Sequence, residues 1–460
     1  MNIPTLYSMH PRYQYILGEF RHLYGLPREM AFGYGSFQED ARVQIRCSGT
    51  LFFEGERLFP EKPAVWKTWK KRSIPFLFGA DPEKPLIEHE DGQWFIHADI
   101  LASAFYFLGG WQSRQYMKRH RAFRFPYAQS LHRKLGIARL PVVNYYFDIL
   151  REAAQRAYGF SPRPVWGPGH QMALCLSHDI DEIHSGWLQD GLYSIKNGKP
   201  RRALRLAQKR ILQDDSWNNI HDLLKLEREQ RVHSTYFFLP RKTRFPWRKM
   251  ITRHFPGFPS GNADYRLEDV AGIFPAVLDA GSEISLHGSV GSHRNPRRLE
   301  QDLCRMPGVR GVRFHYLGFD PNRTWPLLEE AGLDYDATLG FAREPGFRYG
   351  YAFPFHPYDF QEQKARRVLE IPLHLMDSTL RTSLKKRPEE CRDLIRELMD
   401  ETARFEGCLS VLWHNHYFTP DKFSGWKNLY LHILNEGRRH HALIAGCGEI
   451  ARRWKDRSSS

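Results

Sequence analysis

No two of the six cysteines (Cys47, Cys175, Cys304, Cys391, Cys408 and Cys447) stand at Cys-x-x-Cys spacing, and they are scattered along the chain. That pattern argues against a thiolate zinc site and against a disulfide framework. Also missing is any run of the roughly 18 to 20 apolar residues that a membrane-spanning helix needs. The opening stretch, MNIPTLYSMHPRYQYILGEF, lacks a basic start followed by an apolar core, so it does not read as a secretory signal and a cytoplasmic location is expected. There is no internal repeat at a fixed period, and the only low-complexity stretch is Ser458, Ser459 and Ser460. Acidic residues are in deficit, with 52 Asp and Glu against 67 Lys and Arg and a formal net charge of +15.

What is present is an ordinary folded composition, 42% hydrophobic and 26% charged over 460 residues, enough for two or three domains with their own cores. The positive field raises the local concentration of anionic partners such as nucleic acid, a membrane surface or an acidic polymer. It is densest between Lys196 and Arg210 (KNGKPRRALRLAQKR), where Leu204, Leu206 and Ala207 interrupt the cations as in an amphipathic helix. One reading is a solvated helix with one face on the body. The other is a peripheral contact with a membrane or an anionic glycan. No aromatic residue interleaves with the run in the manner of a stacking platform, which leaves nucleic acid the least supported partner.

Residues 40–105 alternate apolar and polar positions with turn signals at Gly55 and Asp91-Gly92, as strands do. Residues 99–115 (DILASAFYFLGGWQSRQ) read as one helix capped by Asp99, and residues 142–157 as another behind Pro141. A mixed α/β region therefore spans residues 1–160. The proline- and glycine-rich stretch SPRPVWGPG (161–169) stops any helix and marks the boundary to a second domain at residues 170–460. There, short apolar runs at 172–176, 234–239, 283–286, 311–313, 369–373 and 409–412 alternate with helical segments at 218–230, 267–280, 324–331, 388–405 and 426–435. Such alternation predicts parallel strands with helices outside, as an open sheet or a barrel.

In such folds the active site forms at the carboxyl ends of the strands, so polar residues directly after apolar runs are the candidates. In LCLSHDID (174–181) strand alternation places Asp179 and Asp181 on one face and His178 on the other. Two carboxylates sharing a pocket repel unless a cation or proton separates them; otherwise such a pair caps a helix or binds an arginine. His287 follows Leu286 at the end of a second run, with His293 six residues on. Imidazoles with one carboxylate make a three-ligand zinc site with an open position; His287 reads as such a ligand ahead of a satisfied structural histidine, and His293 has both readings. Arg313 with His315, and His414 with His416, share faces if their strands continue. An arginine fixes a carboxylate, and a histidine can protonate a leaving amine.

In order, these segments resemble the polysaccharide deacetylases, the carbohydrate esterase family that includes chitin, chitooligosaccharide and peptidoglycan deacetylases, over roughly residues 170–450. Ser177-His178-Asp179-Ile180-Asp181 is similar to the first motif in its Asp-x-Asp variant, and STYFF (234–238) to a core strand. EISLH (283–287) looks like the strand delivering the first metal histidine, and Arg313 like the arginine of the third motif. WPLLEEAGLDYDAT (325–338) is similar to the following helix and strand, and Leu412-Trp413-His414 to the closing motif. Residues before Phe160 resemble the amino-terminal domain of a bacterial subgroup. Two features depart from the pattern: Gly291 replaces the histidine expected four residues after His287, and Phe314-His315 lacks the usual proline.

The resemblance implies a distorted (β/α) barrel deacetylase domain preceded by a smaller mixed α/β domain. It also implies a divalent metal, zinc by expectation, held by Asp181, His287 and His293, with His315 as the alternative third ligand. Asp179 would be the catalytic base, Arg313 its orienting partner and His414 the acid. Tyr316, Trp325, Phe341 and Trp413 are candidate sugar-stacking surface, and each is equally readable as core. The expected activity is removal of N-acetyl or O-acyl groups from a glycan, in exopolysaccharide or surface-glycan metabolism. The alternatives are a metal amidohydrolase of the same fold acting on a non-sugar C–N bond, or an inactive carbohydrate-binding or scaffold protein.

Overall fold

The computed structural model describes residues 9–27, 29–35, 38, 40–211, 215–242 and 262–457, without the side chains of 209–211. The first helix, Pro11–Tyr24, has a proline in its first turn and ends on Gly25 at φ 64°. The proline pre-sets helical φ and the glycine accepts the left-handed cap. Six short strands follow: β1 (Phe32–Tyr34), β2 (Val43–Ile45), β3 (Val65–Trp69), β4 (Arg72–Phe76), β5 (Ile87–Glu90) and β6 (Gln93–Ile96). They make a mixed sheet in the order β1-β2-β6-β5 and a separate β3–β4 hairpin. Helix Val142–Tyr158 packs on this sheet and on helix Ile100–Leu108, which in turn contacts the first helix.

Asp99 caps its helix as predicted, accepting from the Ala102 N–H at 2.9 Å. The single helix expected over 99–115 is two, Ile100–Leu108 and Trp111–Arg119. Gly109-Gly110 breaks it, because Gly110 takes φ 67° and a Cβ there would run into the Tyr349 ring.

From Met172 the chain lays down β7 (Met172–Ile180), β8 (Thr235–Phe238), β9 (Glu283–Gly288), β10 (Gly311–Phe314) and β11 (Tyr335–Asp336). After the small β12 (Tyr358–Asp359) and β13 (Lys364–Ala365) hairpin come β14 (Leu369–Glu370), β15 (Leu375–Met376), β16 (Cys408–Leu412) and β17 (Ala442–Gly446). The large sheet runs β14-β11-β10-β9-β8-β7-β16-β15, with β17 beside the first half of β7 and β8 beside its second half. Every pairing in it is parallel. This is a distorted (β/α) barrel preceded by a smaller mixed α/β region, the architecture expected from the sequence. All nine residues of β7 are buried, as a parallel strand covered on both faces requires.

Three local expectations change. Residues 267–280 form two short helices, Leu267–Ala271 and Phe274–Asp279, separated at Gly272 and restarted at Pro275. The basic run is not one helix but the turn and second arm of a helical hairpin, Gly186–Lys196 and Pro200–Ile211, with Gly198 at φ 71° between them. Strands β15 and β17 were not predicted. The two regions share one hydrophobic core. Polar bonds join them, including Tyr145 Oη to Glu401 Oε2 at 2.6 Å and the Ala352 N–H to Asn144 Oδ1 at 2.9 Å.

Candidate active site

Pleating of β7 sends Asp179 to one side of the sheet, and Asp181 follows two residues later, just past the strand. β9 brings His287, which stands in register with Arg313 of β10. The approach is close because Gly288 lies against Phe314, where a Cβ would collide with the ring. Beyond β10 the chain turns sharply: Tyr316 and Leu317 take φ of 58° and 52°. Two successive non-glycine residues in the left-handed region are unusual, and such outliers persist where surrounding packing imposes them. His315 begins this turn and is delivered over His287.

The result is a tight triangle. His287 Nε2 lies 3.2 Å from Asp181 Oδ1, His315 Nδ1 lies 3.4 Å from the same oxygen, and the two nitrogens are 3.0 Å apart. His287 Nδ1 donates to the Arg313 carbonyl at 2.7 Å, so Nε2 offers a lone pair to the triangle, as a metal-binding histidine does when its other nitrogen is held by a carbonyl. Asp181 Oδ1 is buried and accepts no hydrogen bond. Two ligand atoms each about 2.1 Å from one ion at tetrahedral angles stand about 3.4 Å apart. Asp181, His287 and His315 form a group that could hold a metal ion, and its two-imidazole, one-carboxylate donor set fits zinc.

The electrostatics agree with that fit. Burial would raise the Asp181 carboxyl, yet the facing imidazoles of His315 and His287 hold it well below the ordinary range. Burial opposes charge on His287, and Asp179 and Asp181 overcome it, raising that ring.

Beside the triangle, Asp179 Oδ1 accepts from Arg313 Nη1 at 2.9 Å, while its Oδ2 is 3.5 Å from His287 Nε2. Arg313 is fully buried; it also reaches Ser177 Oγ and the Ala337 carbonyl, both at 2.9 Å, and lies 4.4 Å over the Phe237 ring. Across the cavity, His414 Nδ1 bonds Asp377 Oδ1 at 2.7 Å and its backbone N–H bonds Oδ2 at 2.6 Å. That leaves His414 Nε2 turned to Asp181, 3.7 Å from Oδ2. Burial works against protonating His414, but the Asp377 carboxylate raises it to about 10. His416 moves the opposite way, held well below its usual value by burial and by His414.

Asp179, Asp181, His287, His315, His414 and His416 line a cavity of about 360 Å³ together with Tyr316, Trp217 and Arg381. His293 does not join them. The turn at Gly291 (φ 85°) carries it to the far side of Phe314, where its ring packs 4.8 Å from Phe123 and burial pushes its pKa down to about 3. His315 takes the third position instead.

Trp325 and Trp413 are core: Trp325 donates from Nε1 to Glu370 at 2.9 Å, and Trp413 is fully buried against Trp426 and Tyr430. Phe341 packs between Tyr127 and His132. Of the four aromatic candidates only Tyr316 faces the cavity, its ring 3.8 Å from His315. Asp377 was missed, although it directly follows the apolar run LHLM (373–376) and obeys the same strand-end rule that found the others.

Comparison with known proteins adds the following. The model of a family of unknown function, DUF7033, matches residues 4–159. No curated protein matches the sequence. Among solved structures, a candidate polysaccharide deacetylase from Mycobacterium smegmatis is similar at 17% identity and TM-score 0.38, over 65% of this chain and 96% of that one. PuuE allantoinase is similar at 15% identity and TM-score 0.41, over 65% and 94%. The peptidoglycan deacetylase PdaC from Bacillus subtilis is similar at 12% identity and TM-score 0.24, over 64% and 96%.

Proposed function

We propose that this protein is a metal-dependent hydrolase that removes acyl groups, N-acetyl above all, from a carbohydrate. The observation that carries the reading is the Asp181–His287–His315 triangle set against the Asp179–Arg313 pair at adjoining strand ends. A divalent cation held by the three ligands, zinc by its donor set, would supply Lewis acidity toward an acyl carbonyl. The chain's own groups would do the rest. Asp179, fixed by Arg313, would take the proton of the attacking water. His414, its ring oriented by Asp377, would give a proton from Nε2 to the departing amine, as a histidine held by a carboxylate can. Tyr316 would offer its ring to a sugar face.

The division into an accessory part, 1–160, and a catalytic part, 170–460, belongs to the same proposal. Its support is that residues 159–170 contain no helix or strand and that the family model ends at residue 159. A role in bacterial polysaccharide or surface-glycan metabolism rests on the motif resemblance.

The test is metal content beside acetate release from N-acetylated oligosaccharides, in wild type and in Asp181→Ala, His287→Ala, His293→Ala and His315→Ala. Metal should be lost from the first, second and fourth variants and kept in the third. Unchanged metal in Asp181→Ala and His287→Ala would sink the site.

A further inference from the structure

The hairpin Gly186–Lys196 and Pro200–Ile211 shows solvent a face that helices normally turn inward. Leu188, Leu192 and Ile195, at i, i+4 and i+7 on one side of the first arm, are 38%, 59% and 58% exposed. Tyr193 (41%) and Leu204 (62%) add to the patch, so five of the eight exposed large apolar side chains among the described residues fall between positions 188 and 204. Scattered exposed leucines need no explanation, but a contiguous stripe marks an interaction surface.

The charge around it has one sign. Lys196, Lys199, Arg201 and Arg205 are exposed and form no ion pair among the described residues, while Arg202 pairs with Asp421. The one acid in residues 186–211, Asp190, is buried and accepts from Trp217 Nε1 at 3.2 Å. An apolar stripe edged by cations, with no exposed acid, complements an anionic lipid surface. A groove on another protein could take the stripe, but it would have no need of cations alone around the turn and along the second arm.

The hairpin is also rooted in the rim of the candidate active site. Gln189, next to Leu188, lines the cavity; it donates to Glu182 Oε2 at 2.9 Å and accepts from Lys422 Nζ at 2.7 Å. Lys422 and Arg381 line the same cavity, and both are suited to a phosphate.

We propose that this hairpin seats on an anionic bilayer, with Leu188, Leu192 and Ile195 among the acyl chains and the flanking cations at the headgroups, and that the cavity receives an acylated sugar carried on a lipid phosphate. The second half rests on the hydrolase reading; the first does not.

Co-sedimentation of the full chain with vesicles tests the docking without reference to catalysis. The protein should pellet with vesicles containing phosphatidylglycerol, more weakly as salt rises, and little with phosphatidylcholine alone. Lys199→Gln with Arg201→Gln should weaken binding about fivefold per charge. Leu192→Ser with Ile195→Ser should weaken it at least about tenfold. Both side chains are exposed, so thermal unfolding of that variant should not change.

The docking is overturned if anionic vesicles pellet no protein or if both variants bind like wild type. A dimer dissolved by the Ser substitutions would assign the stripe to a second copy. A melting temperature lowered by those substitutions without lipid would mean that the chain already covers it. Acetate release from an acetylated sugar carried on a lipid phosphate in those vesicles, measured beside a soluble acetylated oligosaccharide, keeps the two halves apart: faster release from the lipid-borne sugar supports the second half, equal release from both overturns it, and docking with release from neither leaves the hairpin standing and removes the hydrolase.

Discussion

His178 and Asp179 are neighbours on β7, yet the buried charge on the two sides of that strand is handled in opposite ways. Behind the strand, Glu227 is saturated: His178 Nε2, Tyr236 Oη and Tyr430 Oη reach it at 2.9 Å and Ser234 Oγ at 2.8 Å. His178 Nδ1 meets the Trp413 carbonyl at 2.7 Å. Burial would raise Glu227, but His178 and the hydroxyls hold it below its ordinary value. In front, Asp181 is as inaccessible to partners as Glu227 is rich in them: its Oδ1 has no hydrogen bond and two imidazole nitrogens crowd it. Buried polar groups are ordinarily paired, so one that faces only other ligand atoms asks for something from outside the chain. By this criterion the rear network is scaffold and the front cluster is where the proposed chemistry belongs, although both contain histidine and carboxylate.

The comparison can be broken most sharply at Asp181. Asp181→Asn should cut turnover at least about 10³-fold, since a metal's electrostatic contribution is worth several kcal/mol, while thermal unfolding moves far less, since Asn keeps the shape of the side chain and Oδ1 has no hydrogen bond to lose. Glu227→Ala should reverse the pattern. Removing one partner of a buried charged pair costs about 3–5 kcal/mol, read by denaturant unfolding, with metal content per folded molecule unchanged; loss of metal from a still-folded Glu227→Ala would abolish the distinction.

Asp377→Asn comes next. It should lower kcat about 10- to 100-fold, because His414 loses the carboxylate that holds its ring in place. Because Asp377 is what raises His414, the alkaline limb of the pH–rate profile should move to lower pH in that variant.

The smallest effect sharpens the comparison with a third solution to burial. Glu19 is 5% exposed, its Oε2 lacks a partner, and burial pushes it up to about 8. A raised carboxyl stays protonated in the fold after the unfolded chain has ionised. Wild type therefore loses stability as pH climbs from about 4.5 toward 8, and Glu19→Gln should not. The two melting temperatures should agree near pH 4.5 and separate in favour of the variant by pH 8.

The strand-end rule made Asp179, Asp181, His287, Arg313 and His414 legible because each lies close behind an apolar run. Periodicity placed most of the barrel for the same reason. The third corner of the triangle was not legible. Whether His293 or His315 reaches the triangle depends on the left-handed pair Tyr316-Leu317 and on the turn at Gly291, and neither bulky left-handed residues nor the direction of a glycine turn leaves a mark in sequence spacing. Strand β15 has only two residues, too few for a period, so Asp377 went unnoticed. The core positions of Trp325 and Trp413 depend on partners distant in sequence, Glu370 for the one and Trp426 with Tyr430 for the other.

The turn bearing His315 has one more property. Arg124 donates to the Tyr316 carbonyl, the Phe319 N–H bonds the Phe123 carbonyl at 3.1 Å, and Phe123 closes over His293. A segment that precedes the barrel in the chain thus acts as a jig for one corner of the triangle. A barrel grafted behind a different leader would keep its strands but lose the tool that sets this turn, so the two halves are matched parts, and a chimera would have to exchange residues 123–124 together with the turn they hold.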